Sequence, residues 1–463
     1  MKNTKLIVVS NRLPLKAKKE EGKYTYTKTS GGLVTGLSGA QDSLNFTWMG
    51  TLEGVEPADQ ETVKKECIEM YNYHPIFIED GLYDKYYNNL CNGMLWPILH
   101  SFSDLASFSA EDYIAYKKVN AQFAEEIAKT LNDGDMVWVH DYHLMLLPEM
   151  IRKRVSSGKI KIGYFLHIPF PSYSILKGSP ILYPLIRGIL GSDLVAFHTF
   201  EYLSNFANAC EICPIEESES PLSIKIDGRS VKLEALPIGI DPLAFQTESM
   251  KKMTKDRGRQ LKERFGNKKI ILGIDRVDYI KGIPHRIKAF SKLLEDNPEL
   301  SKKVVFCQVG VPSRTDVTAY ATLSDVLCRL SGSLNSSGRI EDTSVYFINN
   351  TISFMELCAL YSVSDVCAIS SLRDGMNLVA LEFVACMGSG VLVMSDYAGA
   401  AGMLTRSVYA NPWDIRELSE AYKIALEMPE DDRISRKTEM QKIVSAFTAE
   451  HWANRFISIL SKE

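Results

Sequence analysis

The hydrophobic positions of this chain fall into short continuous runs, separated by amphipathic stretches of helical length. Continuous apolar runs are typical of strands that are covered on both faces of a parallel sheet. In the first half the predicted strands are Lys5–Asn11, Met136–His140, Ile162–His167, Leu194–His198 and Val231–Pro237. In the second half they are Ile270–Ile274, Val304–Val309, Val345–Ile348, Val366–Ser370 and Val391–Met394.

Helical patterns lie between these strands, which predicts the α/β class with two Rossmann-like domains. The clearest helical patterns are Lys251–Arg264, Pro284–Leu294, Val317–Leu330 and Phe354–Tyr361. A chain of 463 residues also exceeds one usual hydrophobic core. We place the first domain at residues 1–242 and the second at residues 243–448, with a last helix predicted at Ala449–Leu460.

Composition argues against a nucleic-acid-binding, membrane or secreted protein. With 45% hydrophobic residues, 24% charged residues and a net charge of −4, the chain has no field suited to nucleic acid or an anionic membrane. The apolar run 6–9 is too short for a signal peptide, and no run is long enough to span a bilayer. Nine scattered cysteines, Cys210 and Cys213 among them, argue against a secreted disulfide framework and favour a cytoplasmic enzyme.

The segment Ser371–Glu382 has the pattern of an anion site. It follows the apolar run Val366–Ile369, and an Arg-Asp-Gly turn in it leads into a helix. The free N–H groups and the dipole of a helix start favour a bound phosphate. Glu382 comes just beyond the first turn, where its carboxylate can accept hydrogen bonds from ribose hydroxyls.

A second pattern adds two cations at the end of another strand. In Lys269–Gly282 an apolar strand is followed by Arg276 and Lys281, five positions apart. Arginine can fork onto two phosphate oxygens while lysine adds a point charge. Together with the helix start, this pair predicts a pocket for a nucleoside diphosphate.

Polar residues also follow the other strands. Arg12, Asp141 and His167 come after strands of the first half, as Arg276 and Asp374 do in the second. Ligands of open parallel sheets bind outside the carboxyl ends of the strands. We therefore expect these side chains to converge on one rim.

Motifs along nearly the whole chain resemble the trehalose-6-phosphate synthase family, retaining glucosyltransferases of the GT-B fold. They are SNRLP (10–14), SGGLVTGL (30–37), YYNNLCNGMLWPILH (86–100), WVHDYHLMLLP (138–148), FLHIPFP (165–171), FHT (197–199), PIGID (237–241), the two segments above and VPSR (311–314). The resemblance implies two Rossmann-like domains facing each other across a cleft. It also implies that the final segment, 449–463, crosses back to the first domain.

The resemblance implies which residues bind each substrate. For the donor UDP-glucose they are Gly31, Gly32, His167, Arg276, Lys281, Ile352, Asp374, Gly375, Met376, Asn377, Leu378, Val379 and Glu382. For the acceptor glucose 6-phosphate they are Arg12, Tyr87, Trp96, Asp141 and Arg314. The catalytic set it implies is Asp141, His167, Arg276, Lys281 and Asp374.

The implied reaction transfers glucose from UDP-glucose to glucose 6-phosphate with retention, giving α,α-trehalose 6-phosphate and UDP. No pair of carboxylates has a spacing that points to a glycosidase-like nucleophile, so a front-face route is expected. No metal cofactor is expected. The one DxD triplet, Asp133–Asp135, precedes a predicted strand and has the pattern of a turn.

Two alternatives remain open. A same-fold transferase could use glycerol 3-phosphate or a cyclitol phosphate, and the segment Ser172–Pro180, which departs from the family pattern, is where such a difference would lie. A non-catalytic subunit that senses sugar phosphate is the second. Possible partners are another copy of the chain or a separate trehalose-phosphate phosphatase.

Overall fold

The computed structural model describes residues 4–29, 34, 36–37, 44–155, 159–218, 220–313, 318–336, 344–386 and 388–462. The chain forms two compact units, one of Met1–Ile238 with Ala449–Glu463 and one of Gly239–Thr448. The predicted division after residue 242 lies inside the second unit, at the first residue of the helix Pro242–Met250.

Each unit is a mainly parallel sheet with helices between its strands. The strands of the first unit are β1 (Leu6–Arg12), β2 (Leu15–Glu20), β3 (Lys23–Lys28), β4 (Phe46–Thr51), β5 (Tyr73–Ile76), β6 (Met136–His140), β7 (Lys161–Phe165), β8 (Leu194–Phe197), β9 (Ser223–Ile226) and β10 (Arg229–Ala235). Those of the second are β11 (Lys269–Arg276), β12 (Val304–Val311), β13 (Val345–Ile348), β14 (Val366–Ile369), β15 (Val391–Ser395) and β16 (Val408–Ala410).

Helices connect most of these strands. In the first unit they are Gln60–Tyr71, Asp80–Asp84, Trp96–Leu99, Ala110–Ala128, Leu147–Arg154, Tyr173–Leu176, Leu182–Ile189, Phe200–Ala209 and Ala449–Leu460, with a π-helix at Lys85–Leu95. In the second they are Pro242–Met250, Lys252–Arg264, Ile283–Asp296, Thr318–Asn335, Phe354–Val363, Leu378–Cys386, Ile415–Glu427 and Glu430–Ala446. No helix in the described part of the chain is both long and apolar enough to cross a membrane.

In both sheets, successive strands are added first on one side of the first strand and then on the other, and ligands of such sheets bind where this change occurs. The second sheet runs β13-β12-β11-β14-β15-β16, and the first runs β5-β4-β1-β6-β7-β8-β10-β9. In a sheet of this order, the crevice lies where the chain switches from one side of its first strand to the other. These points are β11 beside β14 in one unit and β1 beside β6 in the other.

The apolar pattern predicted those strands whose sequences are continuous apolar runs. The strands β6 and β13 have the predicted bounds. In β1 and β11, Arg12 and Arg276 are the last residues of their strands rather than the residues that follow them. The strands β4 and β5, the hairpin β2–β3 and the π-helix were not predicted, because their sequences carry polar residues that interrupt the apolar run.

The last helix, Ala449–Leu460, packs on the sheet of the first unit. Its Trp452 and Phe456 rings lie 4.9 Å and 4.4 Å from the ring of Trp138 on β6. Gly163 on β7 leaves room for the helix, because a Cβ there would lie 2.6 Å from the ring of Phe456. This contact joins the two ends of the chain into one core.

Candidate functional site

The turn that follows β14 surrounds one buried carboxylate. Asp374 is 8% exposed, and its Oδ2 lies 2.5 Å from Nζ of Lys281. The Oδ2 atom also accepts hydrogen bonds from Oγ of Ser371 and Nδ2 of Asn377, each at 2.9 Å. The Oδ1 atom accepts a hydrogen bond from the backbone N–H of Gly375 at 3.0 Å. The fold therefore places a cation from the end of β11 on a carboxylate that follows the neighbouring strand β14.

These contacts keep Asp374 ionised. Burial alone opposes ionisation of this carboxyl, but the charge of Lys281 and the hydrogen bonds from Asn377 and Ser371 outweigh it and lower the pKa to about 2. The Lys281 side chain is 11% exposed and lies 3.9 Å from a second carboxylate, that of Asp275. Lys281 is thus a buried cation held by two anions.

The helix start beside this carboxylate is built as an anion site requires. Asn377 has a positive φ of 71°, and its Oδ1 accepts a hydrogen bond from the N–H of Ala380. The helix Leu378–Cys386 begins at the next residue. Met376 is buried, whereas Leu378 and Val379 are partly exposed. The backbone donors of this first turn lie on the same loop as Asp374.

A fully buried arginine, Arg286, packs against the protein-interior side of this loop. Arg286 donates from Nη2 to Asp275 at 2.6 Å, from Nη1 to Gln308 at 3.2 Å and from Nε to Oγ of Ser370 at 2.9 Å. Ser370 in turn donates to the backbone carbonyl of Lys281 at 3.0 Å. The network fixes the backbone at Lys281 and neutralises the carboxylate beneath its ammonium group.

Glu382 lies one turn into the helix and is also paired. The hydroxyl of Tyr361 donates to its Oε2 at 2.8 Å. Burial raises the pKa of Glu382 to about 7 and the nearby charge of Asp275 adds to the increase, although the Tyr361 hydrogen bond opposes it. Ile352 is partly buried in the loop that precedes the helix Phe354–Val363.

Arg276 is more exposed than the other predicted donor residues that the structure describes. Its side chain is 43% exposed, and Nη2 lies 3.7 Å from Asp278. Its Nη1 donates to Oγ of Ser313 at 3.5 Å. The guanidinium therefore stands at the open end of β11 with weak contacts.

In the first unit, Arg12 is held by an aromatic stack and a carboxylate. Its Nη2 lies 2.8 Å from Glu53, and its Nε donates to the hydroxyl of Tyr83 at 2.8 Å. The guanidinium carbon is 4.4 Å from the ring centre of Tyr87. The Tyr87 ring stacks between Tyr83, at 5.4 Å and 16°, and His143, at 5.7 Å and 12°. These contacts fix the plane of the guanidinium and raise the pKa of Arg12, although partial desolvation of this half-exposed side chain opposes the increase.

Trp96 belongs to the same aromatic group. It begins the helix Trp96–Leu99, is 5% exposed, and its ring lies 5.6 Å from Tyr142. The Tyr142 ring is 3.9 Å from His143, which stacks on Tyr87. The structure therefore connects Trp96 to the Arg12 cluster through a chain of rings.

Asp141 and His167 follow the adjacent strands β6 and β7 and contact each other. The Oδ1 of Asp141 accepts a hydrogen bond from the backbone N–H of His167 at 3.2 Å. Asp141 has a positive φ of 73°, and its own N–H donates to the carbonyl of Phe165 at 2.8 Å. This left-handed backbone, rare for a residue other than glycine, turns the carboxylate onto the end of β7.

Three predicted site residues, Gly31, Gly32 and Arg314, lie outside the described residues. The DxD triplet is a structural turn, as predicted. Asp135 accepts hydrogen bonds from the N–H groups of Lys5 and Asn132, at the amino ends of β1 and β6. Within the described ranges no group of three or more His, Cys, Asp or Glu side chains could hold a metal ion.

Sequence reasoning missed the residues that hold the predicted ones. They are Glu53, Tyr83, His140, Asp275, Arg286, Tyr361 and Ser371. His140, Asp275 and Ser371 adjoin predicted residues in the motifs, so proximity was a usable signal. Tyr83 and Arg286 lie four and five positions from the predicted Tyr87 and Lys281, whereas Glu53 and Tyr361 contact the site from more distant positions.

Comparison with known proteins finds relatives that match almost the whole chain. Residues 4–462 match the model of glycosyltransferase family 20. An α,α-trehalose-phosphate synthase (UDP-forming) of Encephalitozoon cuniculi is 45% identical over 97% of this chain and 96% of its own length. A trehalose-6-phosphate synthase from E. coli, solved with UDP-2-fluoro glucose, is 32% identical with a TM-score of 0.88, covering 99% of each chain.

A Burkholderia xenovorans synthase, solved in complex with glucose-6-phosphate, is 31% identical over 99% of this chain and 100% of its own, with a TM-score of 0.87. The likeness to these solved structures confirms the predicted GT-B class with two Rossmann-like domains. The family match covers nearly every residue and includes both clusters described above. This chain therefore belongs to glycosyltransferase family 20.

Proposed function

We propose that this protein is a UDP-forming α,α-trehalose-phosphate synthase, which transfers glucose from UDP-glucose to glucose 6-phosphate with retention. The observation that carries the proposal is the Lys281–Asp374 pair at the carboxyl ends of β11 and β14, next to a helix start. Buried cations and free backbone N–H groups at such a point suit the diphosphate of a nucleotide sugar. The synthases that this chain resembles over almost its whole length support the assignment.

On the donor side, we assign the diphosphate to Arg276, Lys281, the backbone at Leu378 and Val379, and the glycines Gly31 and Gly32. Gly375, Met376 and Asn377 form the loop that leads into this helix start. Glu382 accepts the ribose hydroxyls, and the backbone at Ile352 contacts the base. Asp374 and His167 bind glucose hydroxyls. The E. coli relative solved with UDP-2-fluoro glucose supports a UDP-sugar as donor.

On the acceptor side, we assign the phosphate of glucose 6-phosphate to Arg12, Tyr87 and Arg314. Trp96 packs beside the sugar, and Asp141 accepts hydrogen bonds from its hydroxyls. Because Tyr83 and Glu53 already hold the Nε and Nη2 side of Arg12, the Nη1 edge is the one we assign to the phosphate. The relative solved with glucose-6-phosphate supports this acceptor.

The chemistry we propose is a front-face displacement. The anomeric hydroxyl oxygen of the acceptor bonds to C1 of the donor glucose while the bond from C1 to the β-phosphate oxygen breaks. The electron pair of that bond stays on UDP, and the hydroxyl proton passes to the leaving phosphate. Asp374 is unsuited to act as a nucleophile, because Lys281, Ser371 and Asn377 donate to its Oδ2 and the backbone N–H of Gly375 donates to its Oδ1. Arg276 and Lys281 stabilise the charge on UDP without a metal cofactor.

Partner and location belong to the same proposal. The turn at Asp133–Asp135 is structural, so removal of the product's phosphate would fall to a separate trehalose-phosphate phosphatase, with which this chain or its homo-oligomer could assemble. None of the nine cysteines is in a disulfide, which supports a reducing compartment such as the cytoplasm. Light scattering of the purified chain, alone and mixed with such a phosphatase, tests both assemblies.

The reaction is tested by measuring UDP release from UDP-glucose with and without each acceptor. We expect rapid release with glucose 6-phosphate, slow release without it, and an α,α-linked disaccharide phosphate by NMR. Faster UDP release with glycerol 3-phosphate or a cyclitol phosphate would show that this compound, rather than glucose 6-phosphate, is the acceptor. The segment 172–180 would then be the first place to look for the residues that select it. No release with any acceptor would indicate a non-catalytic protein.

A further inference from the structure

Three histidines stand side by side at the ends of adjacent strands in the first unit. His140 ends β6, His167 follows β7 and His198 follows β8. The ring of His167 lies 5.2 Å from that of His140 and 5.4 Å from that of His198. His140 is fully buried, whereas His167 is partly exposed. Of the three, only His167 has a role in the proposed function.

The first two rings share one hydrogen bond. Nδ1 of His140 lies 3.0 Å from Nε2 of His167. Burial lowers the pKa of His140 to about 3, and burial with two neighbouring imidazoles lowers the pKa of His167 well below its usual range. Both rings are therefore neutral, and each carries one N–H and one lone pair. Either His140 donates to His167, or His167 donates to His140.

The other nitrogen of His140 decides between these arrangements. Among the residues that the structure describes, its buried Nε2 has no hydrogen-bond partner, and neither has the indole Nε1 of Trp138 or of Trp452. The rings of these tryptophans lie 4.5 Å and 6.1 Å from that of His140. An indole nitrogen can only donate. With an N–H on Nε2, three buried donors in this group of rings would lack an acceptor, whereas a lone pair on Nε2 leaves only the two indole donors in that state.

We infer that His140 is a positioning residue that donates from Nδ1 to Nε2 of His167 and so holds His167 in the tautomer protonated on Nδ1. His167 then offers an N–H donor to its ligand, and its lone pair is already occupied. In the proposed function, on which this last step rests, His167 donates a hydrogen bond to an oxygen of the donor glucose and takes up no proton during transfer.

The tautomer can be measured without substrate. In protein labelled with ¹⁵N-histidine, long-range ¹H–¹⁵N spectra separate protonated from unprotonated ring nitrogens. We expect both His140 and His167 to be protonated on Nδ1, with assignments taken from His140→Asn and His167→Asn. The reverse pattern, or averaging of the two nitrogens of His167, would overturn the inference. Because no substrate is present, this result does not depend on the glucosyltransferase assignment, and the two can fail independently.

Two matched variants test the consequence for activity. His140→Asn keeps an N–H donor near the position of Nδ1, and His140→Leu removes it while filling much of the same space. We expect His140→Leu to lower kcat/KM for UDP-glucose about tenfold to a hundredfold, with the KM for glucose 6-phosphate unchanged, and His140→Asn to restore most of it. Equal activity in the two folded variants would contradict the positioning role. If His140→Leu does not fold, the His167 tautomer in His140→Asn decides: protonation on Nδ1 upholds the inference, and its loss contradicts it.

Discussion

The ammonium nitrogen of Lys281 lies 2.5 Å from Oδ2 of Asp374, and both side chains are only 11% exposed. The two residues come from strand ends 93 positions apart in sequence. Each is therefore both a proposed substrate ligand and the other's counter-ion. Substitution of either one changes the charge of the site and the stability of the fold together.

Substitution of Lys281 should destabilise the fold more than substitution of Arg276, although both should lower activity. Lys281→Met and Arg276→Met should each lose about 2–4 kcal/mol of transition-state stabilisation, because each removes a charge-assisted phosphate contact. Lys281→Met removes the cation 2.5 Å from the buried Asp374 carboxylate, which should lower the free energy of unfolding by about 3–5 kcal/mol. Arg276→Met removes a more exposed cation that lies 3.7 Å from the buried Asp278 carboxylate, so it should lower the free energy of unfolding by only about 1 kcal/mol. Steady-state kinetics and denaturant unfolding of both variants provide the measurement. Near-normal turnover in either variant would refute its role at the diphosphate.

UDP binding should strengthen as the pH rises through about 7, because the Glu382 carboxyl then loses its proton and becomes a better acceptor for ribose hydroxyls. Its pKa is raised in the folded state, so its contribution to stability is present below pH 4.5 and is lost as the pH rises through 7. Tyr361→Phe removes a hydrogen bond that lowers this pKa, and should move the inflection to higher pH. Calorimetric titration of the protein with UDP between pH 5.5 and 8.5 measures the affinity and the pH of its inflection in the wild type and in Tyr361→Phe. Glu382→Gln is the control, in which we expect no inflection. An unchanged inflection in Glu382→Gln would assign it to another group.

The acceptor should be recognised mainly through its phosphate. Glucose should be a poorer acceptor than glucose 6-phosphate by several orders of magnitude, because its binding leaves arginine donors unpaired. Arg12→Ala and Arg314→Ala should each raise the KM for glucose 6-phosphate far more than the KM for UDP-glucose. Glu53→Gln should raise the KM for glucose 6-phosphate, because the Glu53 carboxylate holds Nη2 of Arg12 and so orients the Nη1 edge that we assign to the phosphate. A lower KM for glucose 6-phosphate in Glu53→Gln would mean that Glu53 competes with the phosphate rather than orienting the guanidinium.

Activity should survive thorough treatment with a chelator. The donor site we propose uses Arg276, Lys281 and a helix start for the diphosphate, so it needs no bridging cation. The measurement is UDP release before and after incubation with EDTA, followed by addition of Mg²⁺ or Mn²⁺. Loss on chelation and recovery with a divalent ion would show that the donor site has been misassigned.

The contact between β7 and the last helix should tolerate no added side chain. In Gly163→Ala the new Cβ would lie 2.6 Å from the ring of Phe456, which is in a fully buried position. We expect a loss of about 1–3 kcal/mol from overpacking. Adding Phe456→Leu should recover part of that loss, although Phe456→Leu alone destabilises the protein. Thermal unfolding of the two single variants and the double variant tests this, and strictly additive losses would argue against the contact.

Part of the site could be predicted from sequence because its ligands sit where apolar strands end. Arg12, Asp141, Arg276 and Asp374 were found this way, and the structure places all four at or just beyond strand ends. Lys281 and His167, the partners of Asp374 and Asp141, were also predicted, but the partners of Arg12 were not. Glu53 and Tyr83 reach Arg12 from elements 41 and 71 positions away, and a local pattern does not encode contacts at that separation.

The sequence by itself determined the class of fold and the order of its elements, because apolar runs in a parallel sheet repeat locally and need no long-range information. It also determined the family, through motifs spread along the chain. Only the tertiary structure decided which charges are paired. The Lys281–Asp374 bond, the buried Arg286 beneath it and the hydrogen bond between His140 and His167 all join distant segments. Their energies depend on burial and on distances of a few ångströms, and both quantities are set only once the chain has folded.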